Sequence, residues 1–318
     1  MAVITIKGTA SRVGRLFEAT AGDHRVPMQN LLRVRDIFFE DFDPQLTYEN
    51  QKFDFSFSSN PIDGFRFSYN DFAEKDRFQT KLNDCIQNFK SHYSMHLWGA
   101  ILNTARRIGT LHQTTFGLEW LTEQPLPRFK LYFEELHHHY SETVRWRLAR
   151  DIAETLQMPR EIRKAGGTAP AAICVDFMPH GRQEMKCYTI TRDATRLLSE
   201  MRCWGKYALR QWLLFQKTLR REKRAFFYFT RRTDQKGNLV SAKWYKIYEV
   251  RQMPDLGLAL RETDELWKQI RPPSEAREKF LRHCQGLALF PLPVISAIDI
   301  RPNSECKVDL YYSVRSRL

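Results

Sequence analysis

Residues 128–133 read RFKLYF, and this hexapeptide with its two echoes decides the fold. Lys130 stands two positions before Tyr132, among neighbours that favour a strand, and a spacing of two puts both side chains on one face. QEMKCYT (183–189) repeats the arrangement with Lys186 and Tyr188, and KWYKIYEV (243–250) repeats it with Lys246 and Tyr248. One wall therefore aims a cation and a phenol the same way three times.

Around these stretches, five segments read as β-hairpins: 51–71, 115–136, 171–190, 224–250 and 297–314. Each joins β-branched or aromatic alternation to a turn carrying Pro, Gly or Asn. The marker residues Asp54, Lys130, Lys186, Lys246 and Asp309 recur at a period of about sixty residues, the mark of an internal repeat. Between the hairpins the texture is helical. Residues 71–109 place apolar side chains at spacings of three and four and stop at Gly109; 140–157 is amphipathic; helical pairs follow before the fourth and fifth hairpins. The unit is helix, helix, strand, strand. The expected fold is α+β, with five ααββ repeats whose ten or so antiparallel strands close into a central barrel ringed by α-helices. Closure removes the sheet edges and leaves a lumen wide enough for a ligand. Residues 1–318 are expected to form a single domain.

Bulk composition agrees and excludes several classes. The chain has 318 residues, 42% hydrophobic and 13% aromatic, too rich for a disordered protein. No apolar run approaches the roughly 20 residues of a membrane span, and the N-terminus lacks the order of a secretory signal, so a cytoplasmic protein with no membrane partner is expected. The six cysteines form no CxxC pair, which argues against a zinc site or a disulfide framework. The sequence HHHY (137–140) does not make a metal site, because consecutive helical residues diverge by about 100°. Fifty Lys and Arg against 37 Asp and Glu give a net charge of +13, which attracts polyanions.

Ammonium groups converging on one lumen repel each other and lose hydration, so they persist only around an anion of matching charge. A diphosphate is such an anion, and Arg66 in GFRFSYND (64–71) adds a bidentate fork. Tyrosines interleaved with the cations exclude water and turn negative π faces toward a cation. Holding a diphosphate while sheltering a carbocation is what prenyl transfer requires. One position departs from the pattern: the fifth hairpin reads Lys307, Asp309, Tyr311, with an acid where the others carry lysine.

VDFMPHGRQEMKCYT (175–189) and KVDLYYSVR (307–315) resemble the corresponding hairpins of the cyanobactin peptide prenyltransferases, members of the ABBA prenyltransferase superfamily; RFKLYF and FDFSFSS (53–59) are weaker echoes. The resemblance implies a ten-stranded barrel that moves a dimethylallyl or geranyl group from its diphosphate to a side chain of a cyclic peptide. It assigns Lys130, Lys186 and Lys246 to the diphosphate, where the charge argument adds Arg66, and Tyr132, Tyr188, Tyr248 and Tyr311 to the cation shield. It places the acceptor's base at Asp54, where the family usually has Glu, with Glu49 in reserve. Mg2+ accompanying the diphosphate is a further implication, whereas no DDxxD cluster is present for a protein-held metal. A monomer or weak homodimer is expected. Two other readings stand beside this one: an ABBA enzyme acting on a small aromatic molecule, and a non-enzymatic nucleic-acid-binding protein. The second would use the basic run RREKRAFFYFTRR (220–232) and carry its cations on an outer face; the prenyl-diphosphate reading expects no nucleic-acid partner.

Overall fold

A computed structural model describes residues 2–39, 51–59, 64–71, 75–89, 92–110, 114–121, 124, 126–158, 169–181, 183–191, 213, 227–233, 239–248, 256–270, 272, 274–300 and 307–316. Ten strands run in one ring: β1 (Gln51–Ser58), β2 (Arg66–Asp71), β3 (Thr114–Glu119), β4 (Arg128–Phe133), β5 (Ala172–Phe177), β6 (Gln183–Thr191), β7 (Phe227–Thr233), β8 (Leu239–Ile247), β9 (Leu289–Ile300) and β10 (Lys307–Ser316). Every neighbour is antiparallel and next in sequence, and β10 returns to pair with β1, which closes the barrel.

Helices precede the hairpins as the repeat requires. They are α1 (Ala2–Asp23) and α2 (Met28–Phe39), α3 (Lys75–Phe89) and α4 (Met95–Ile108), α5 (Leu136–His139) and α6 (Glu142–Thr155), α7 (Leu256–Ile270) and α8 (Ala276–Gly286). The helical pair expected before the fourth hairpin lies outside the described residues, apart from Leu213. Local chemistry sets the helix ends. Ser141 caps α6 by accepting the Val144 N–H, and α4 ends at Gly109, whose left-handed φ of 80° an L side chain resists. None of the described helices is long and apolar enough to cross a membrane.

The strands are two-faced, and that sorts the molecule into layers. On β4, Phe129, Leu131 and Phe133 are fully buried toward the helices, while Arg128, Lys130 and Tyr132 take the opposite, partly accessible face. Outward-facing aromatics meet aromatics from the helices: Phe17 of α1 lies 5.1 Å from Phe67, Trp98 of α4 lies 4.9 Å from Phe177, and Phe280 of α8 lies 4.8 Å from Phe57. Each such buried ring contributes about 1.5–3 kcal/mol. The core is thus an annulus between barrel and helices, which leaves the lumen free for polar groups.

Two expectations are corrected by the observed register. The fifth hairpin begins at Leu289, not 297, because Pro291 and Pro293 are accommodated within β9 opposite Val314 and Tyr312, next to a bulge at Tyr311/Tyr312. Lys246 and Tyr248 do not face the lumen. The inward residues of β8 are Lys243, in register with Thr230 and Asp299, and Tyr245, in register with Tyr228 and Ala297. Both registers of KWYKIY offer a Lys and a Tyr two apart, and a one-residue slip exchanges the faces. Lys246 is instead fully buried against α7, where its Nζ lies 2.7 Å from Glu262 Oε2, and Tyr248 exchanges a 2.9 Å hydrogen bond with Ser296.

This outward ion pair joins barrel to helix layer. Removing one partner of a buried pair strands the other charge, so Glu262→Ala is expected to destabilise the protein by about 3–5 kcal/mol. The Lys246→Met/Glu262→Leu double variant is expected to recover most of that loss. Urea unfolding of the three proteins measures both, and an Ala variant as stable as wild type would show that the pair does not tie these layers.

Candidate functional site

The inward faces of seven strands build a belt of opposite charges. Lys186 of β6 pairs with Asp176 of β5, which also holds Lys130 of β4 at 2.9 Å. Lys130 reaches Glu119 of β3 at 3.1 Å, Glu119 meets Arg66 of β2 at 2.5 Å, and Arg66 approaches Asp309 of β10 at 3.3 Å. Asp309 closes the series by pairing with Lys243 of β8 and lying 3.6 Å from Lys307. The three carboxylates are buried. Burial alone would raise their pKa values, yet adjacent cations outweigh it: Arg66, Lys130 and Lys186 hold Glu119 well below its ordinary range, Lys130 and Lys186 depress Asp176, and Lys243, Lys307 and Arg66 depress Asp309. Conversely, burial would lower Lys130 and Lys243, but Asp176 and Asp309 respectively raise them.

Tyrosines occupy the same lumen. Tyr132 is pushed well above the usual phenol value by burial and then by the electrostatic influence of Cys174, Asp176, Tyr311 and Tyr245. Tyr188 is raised by burial and by Tyr245, Cys174, Tyr132 and Asp176, and its ring centroid lies 5.4 Å from that of Tyr245. Rings from β4, β6, β8 and β10 therefore converge, and Tyr132, Tyr188 and Tyr245 stay neutral at physiological pH. Lys243 Nζ already sits 4.9 Å from the Tyr245 ring centroid. Gly117 of β3 makes room for this wall: a Cβ there would stand 3.0 Å from Tyr132 Cε2 and 3.2 Å from Lys130 Cβ.

Asp54 lies on β1, 2% exposed, in register with Ser68 and Ser313, and Ser68 Oγ donates to its Oδ2 at 3.4 Å. Ser56 and Ser58 follow it on the same inward face, beside Arg66 and Asp309. The structure thus brings Asp54, Arg66, Lys130, Lys186, Tyr132, Tyr188 and Tyr311 to one lumen and removes Lys246 and Tyr248 from it. Glu49 lies outside the described residues. Sequence reading missed Lys243, Tyr245, Glu119 and Asp176. The first two repeat the Lys-x-Tyr signal three residues upstream of the pair chosen, and Asp176 is the lone carboxylate of the otherwise apolar AICVDF. Glu119 shows its role only through its cross-strand neighbours Arg66 and Arg128.

The sequence matches no family model and no curated protein. The structure is similar to solved prenyltransferases over nearly its whole length. 5-Dimethylallyltryptophan synthase from Streptomyces coelicolor aligns with TM-score 0.64 at 12% identity, covering 96% of this chain and 97% of that one. The prenyltransferase PriB, in a ternary complex with L-tryptophan and dimethylallyl thiolodiphosphate, aligns with TM-score 0.64 at 11% identity over 98% of both chains. NotF, in complex with brevianamide F and a dimethylallyl donor analogue, aligns with TM-score 0.57 at 14% identity, covering 97% and 96%. The chain has the ABBA prenyltransferase barrel fold.

The depressed carboxyls make the belt sensitive to acid. A group whose folded pKa lies below its unfolded value stabilises the protein above the unfolded value and loses that contribution as pH falls. Asp176 and Asp309 start from an ordinary value of 3.8, so stability is expected to fall steadily as pH drops below about 4. Urea unfolding between about pH 6 and about pH 2 tests this, with Asp176→Asn expected to show a shallower acid limb. Identical acid limbs in the two proteins would mean that Asp176 is not held ionised by its lysines.

Proposed function

We propose that the protein transfers an isoprenyl group, dimethylallyl or geranyl, from its diphosphate to a small aromatic acceptor of the indole class. The observation that carries this reading is the convergence of Arg66, Lys130, Lys186 and Lys243 with Tyr132, Tyr188, Tyr245 and Tyr311 inside one closed barrel. In this reaction the cations bind the diphosphate and offset charge developing on it as the allylic C–O bond breaks. The tyrosines screen the allylic cation from water and face it with π density. An acceptor carbon or heteroatom attacks the cation, pyrophosphate leaves, and the acceptor's proton passes to Asp54. Ser68 holds that carboxylate through its hydroxyl.

Solved proteins of the same fold support a small acceptor, since they bind tryptophan or brevianamide F beside a dimethylallyl donor analogue. A macrocyclic peptide, the acceptor implied by the sequence resemblance, has no such support, and the enclosed position of Asp54 favours a compact ring. The nucleic-acid reading needs cations on an outer face, whereas Arg66, Lys130, Lys186 and Lys243 belong to the lumen belt. The side chains of Arg231 and Arg232 lie outside the described residues. The belt carboxylates are paired with cations and do not fit a protein-held Mg2+, and among the described residues no group of three His, Cys, Asp or Glu is placed to hold a metal.

The test is incubation with dimethylallyl or geranyl diphosphate and a panel of tryptophan, a tryptophan-containing cyclic dipeptide and Trp- or Tyr-containing macrocyclic peptides, read by mass spectrometry. Prenylated small acceptors are expected; products from macrocycles alone would overturn the acceptor class. Lys130→Met, Lys186→Met and Lys243→Met are each expected to weaken diphosphate binding by about 1.5–3 kcal/mol. Asp54→Asn is expected to keep donor affinity while transfer falls by about 10²- to 10⁴-fold. A fully active Asn variant would move the base elsewhere, with Glu49 next to test.

A further inference from the structure

Asp309 occupies the position of its hairpin where the β4 and β6 motifs carry lysine, and the prenyl-transfer reaction has no step for it. Its side chain has no solvent exposure, and it touches three cations from three strands: Lys243 of β8, Arg66 of β2 at 3.3 Å and Lys307 of its own strand at 3.6 Å. Asp176, on the opposite side of Arg66, joins two cations, Lys130 of β4 and Lys186 of β6. The cations assigned to the diphosphate are therefore not bare. Each meets an internal carboxylate.

Two carboxylates in that position have opposed effects. They cancel repulsion among buried ammonium and guanidinium groups, which stabilises the empty barrel. They also lower the positive potential that an entering anion meets, and they occupy the same N–H donors. Binding a diphosphate therefore exchanges partners instead of filling a vacant charge.

We infer that Asp309, with Asp176 as its counterpart, is an internal counter-anion that stands in for the diphosphate in the empty lumen and sets how tightly the donor and the pyrophosphate product are held. The inference rests on the diphosphate reading of the belt and deepens it. Weak retention of pyrophosphate suits turnover, because the product carries the charge that the belt attracts most strongly and it must leave. Asp309 is thus a specificity and release residue, touching the cations and neither the allylic carbon nor the acceptor.

The probe is inorganic pyrophosphate, titrated by calorimetry into the wild-type protein and Asp309→Asn, with thermal unfolding of both in the absence of ligand. The Asn variant is expected to bind pyrophosphate at least about tenfold more tightly, the factor one close charge pair supplies, and to unfold at lower temperature. Its release step is expected to slow, so that pyrophosphate inhibits turnover at lower concentration. Asp176→Asn is the second variant, with the same expectation, and serves if Asp309→Asn does not fold. Unchanged or weaker pyrophosphate binding in a folded variant would overturn the inference, as would failure of both variants to fold, since the carboxylates would then only position the lysines or hold the barrel together. Failure of wild type and variants alike to bind pyrophosphate would count against the diphosphate site itself, whereas binding by wild type with no gain in the variants counts against the counter-anion role alone.

Discussion

The lumen depends on one constraint: several cations taken out of water must each meet a negative partner within a few ångströms. Desolvating an ammonium or guanidinium group costs several kcal/mol even after the protein relaxes. Here the cost is offset by alternation around the ring, Lys186–Asp176–Lys130–Glu119–Arg66–Asp309–Lys243, with each contact crossing between strands. Such a belt needs closure. In an open sheet Asp309 on β10 and Arg66 on β2 would stand at opposite ends of the chain order; the pairing of β1 with both β10 and β2 brings them together.

The apolar annulus outside the barrel makes that polar interior possible. Because Phe17, Trp98 and Phe280 pack with outward strand aromatics, the hydrophobic stabilisation of the fold does not require a filled lumen. The inner wall is released to carry charge, hydroxyls and phenols. Rigid strands, unlike loops, hold those groups at fixed spacing, which the proposed transfer through an unstable allylic cation requires. Gly117 shows how far this goes, since a single methyl group there would press on both Tyr132 and Lys130.

Side-chain chemistry varies around the ring. Cations and tyrosines are spread over β2, β4, β6, β8 and β10, whereas Asp54 sits with Ser56, Ser58, Ser68 and Ser313 on β1 and its two neighbours, a hydroxyl-rich sector. The belt carboxylates, in turn, neutralise the cations of this wall in pairs.

The sequence by itself determined the hairpin repeat, all of its strands except the start of β9, and most of the inward set, for a physical reason. In RFKLYF, QEMKCY and KVDLYY one face is apolar or uncharged and the other carries charge and phenol, so only one orientation buries the hydrophobic side chains. β8 lacked that asymmetry. Lys243, Tyr245 and Ile247 alternate with Trp244, Lys246 and Tyr248, two sets of nearly equal polarity, and hydrophobicity could not choose between them. The choice came from pairing with β7 and β9, and from Glu262 of α7, which gives Lys246 a buried partner on the outer side. The ion-pair belt belongs likewise to tertiary structure: Glu119 and Asp309 meet Arg66 across 53 and 243 positions of sequence. No local pattern encodes a contact made by the closing of a ring.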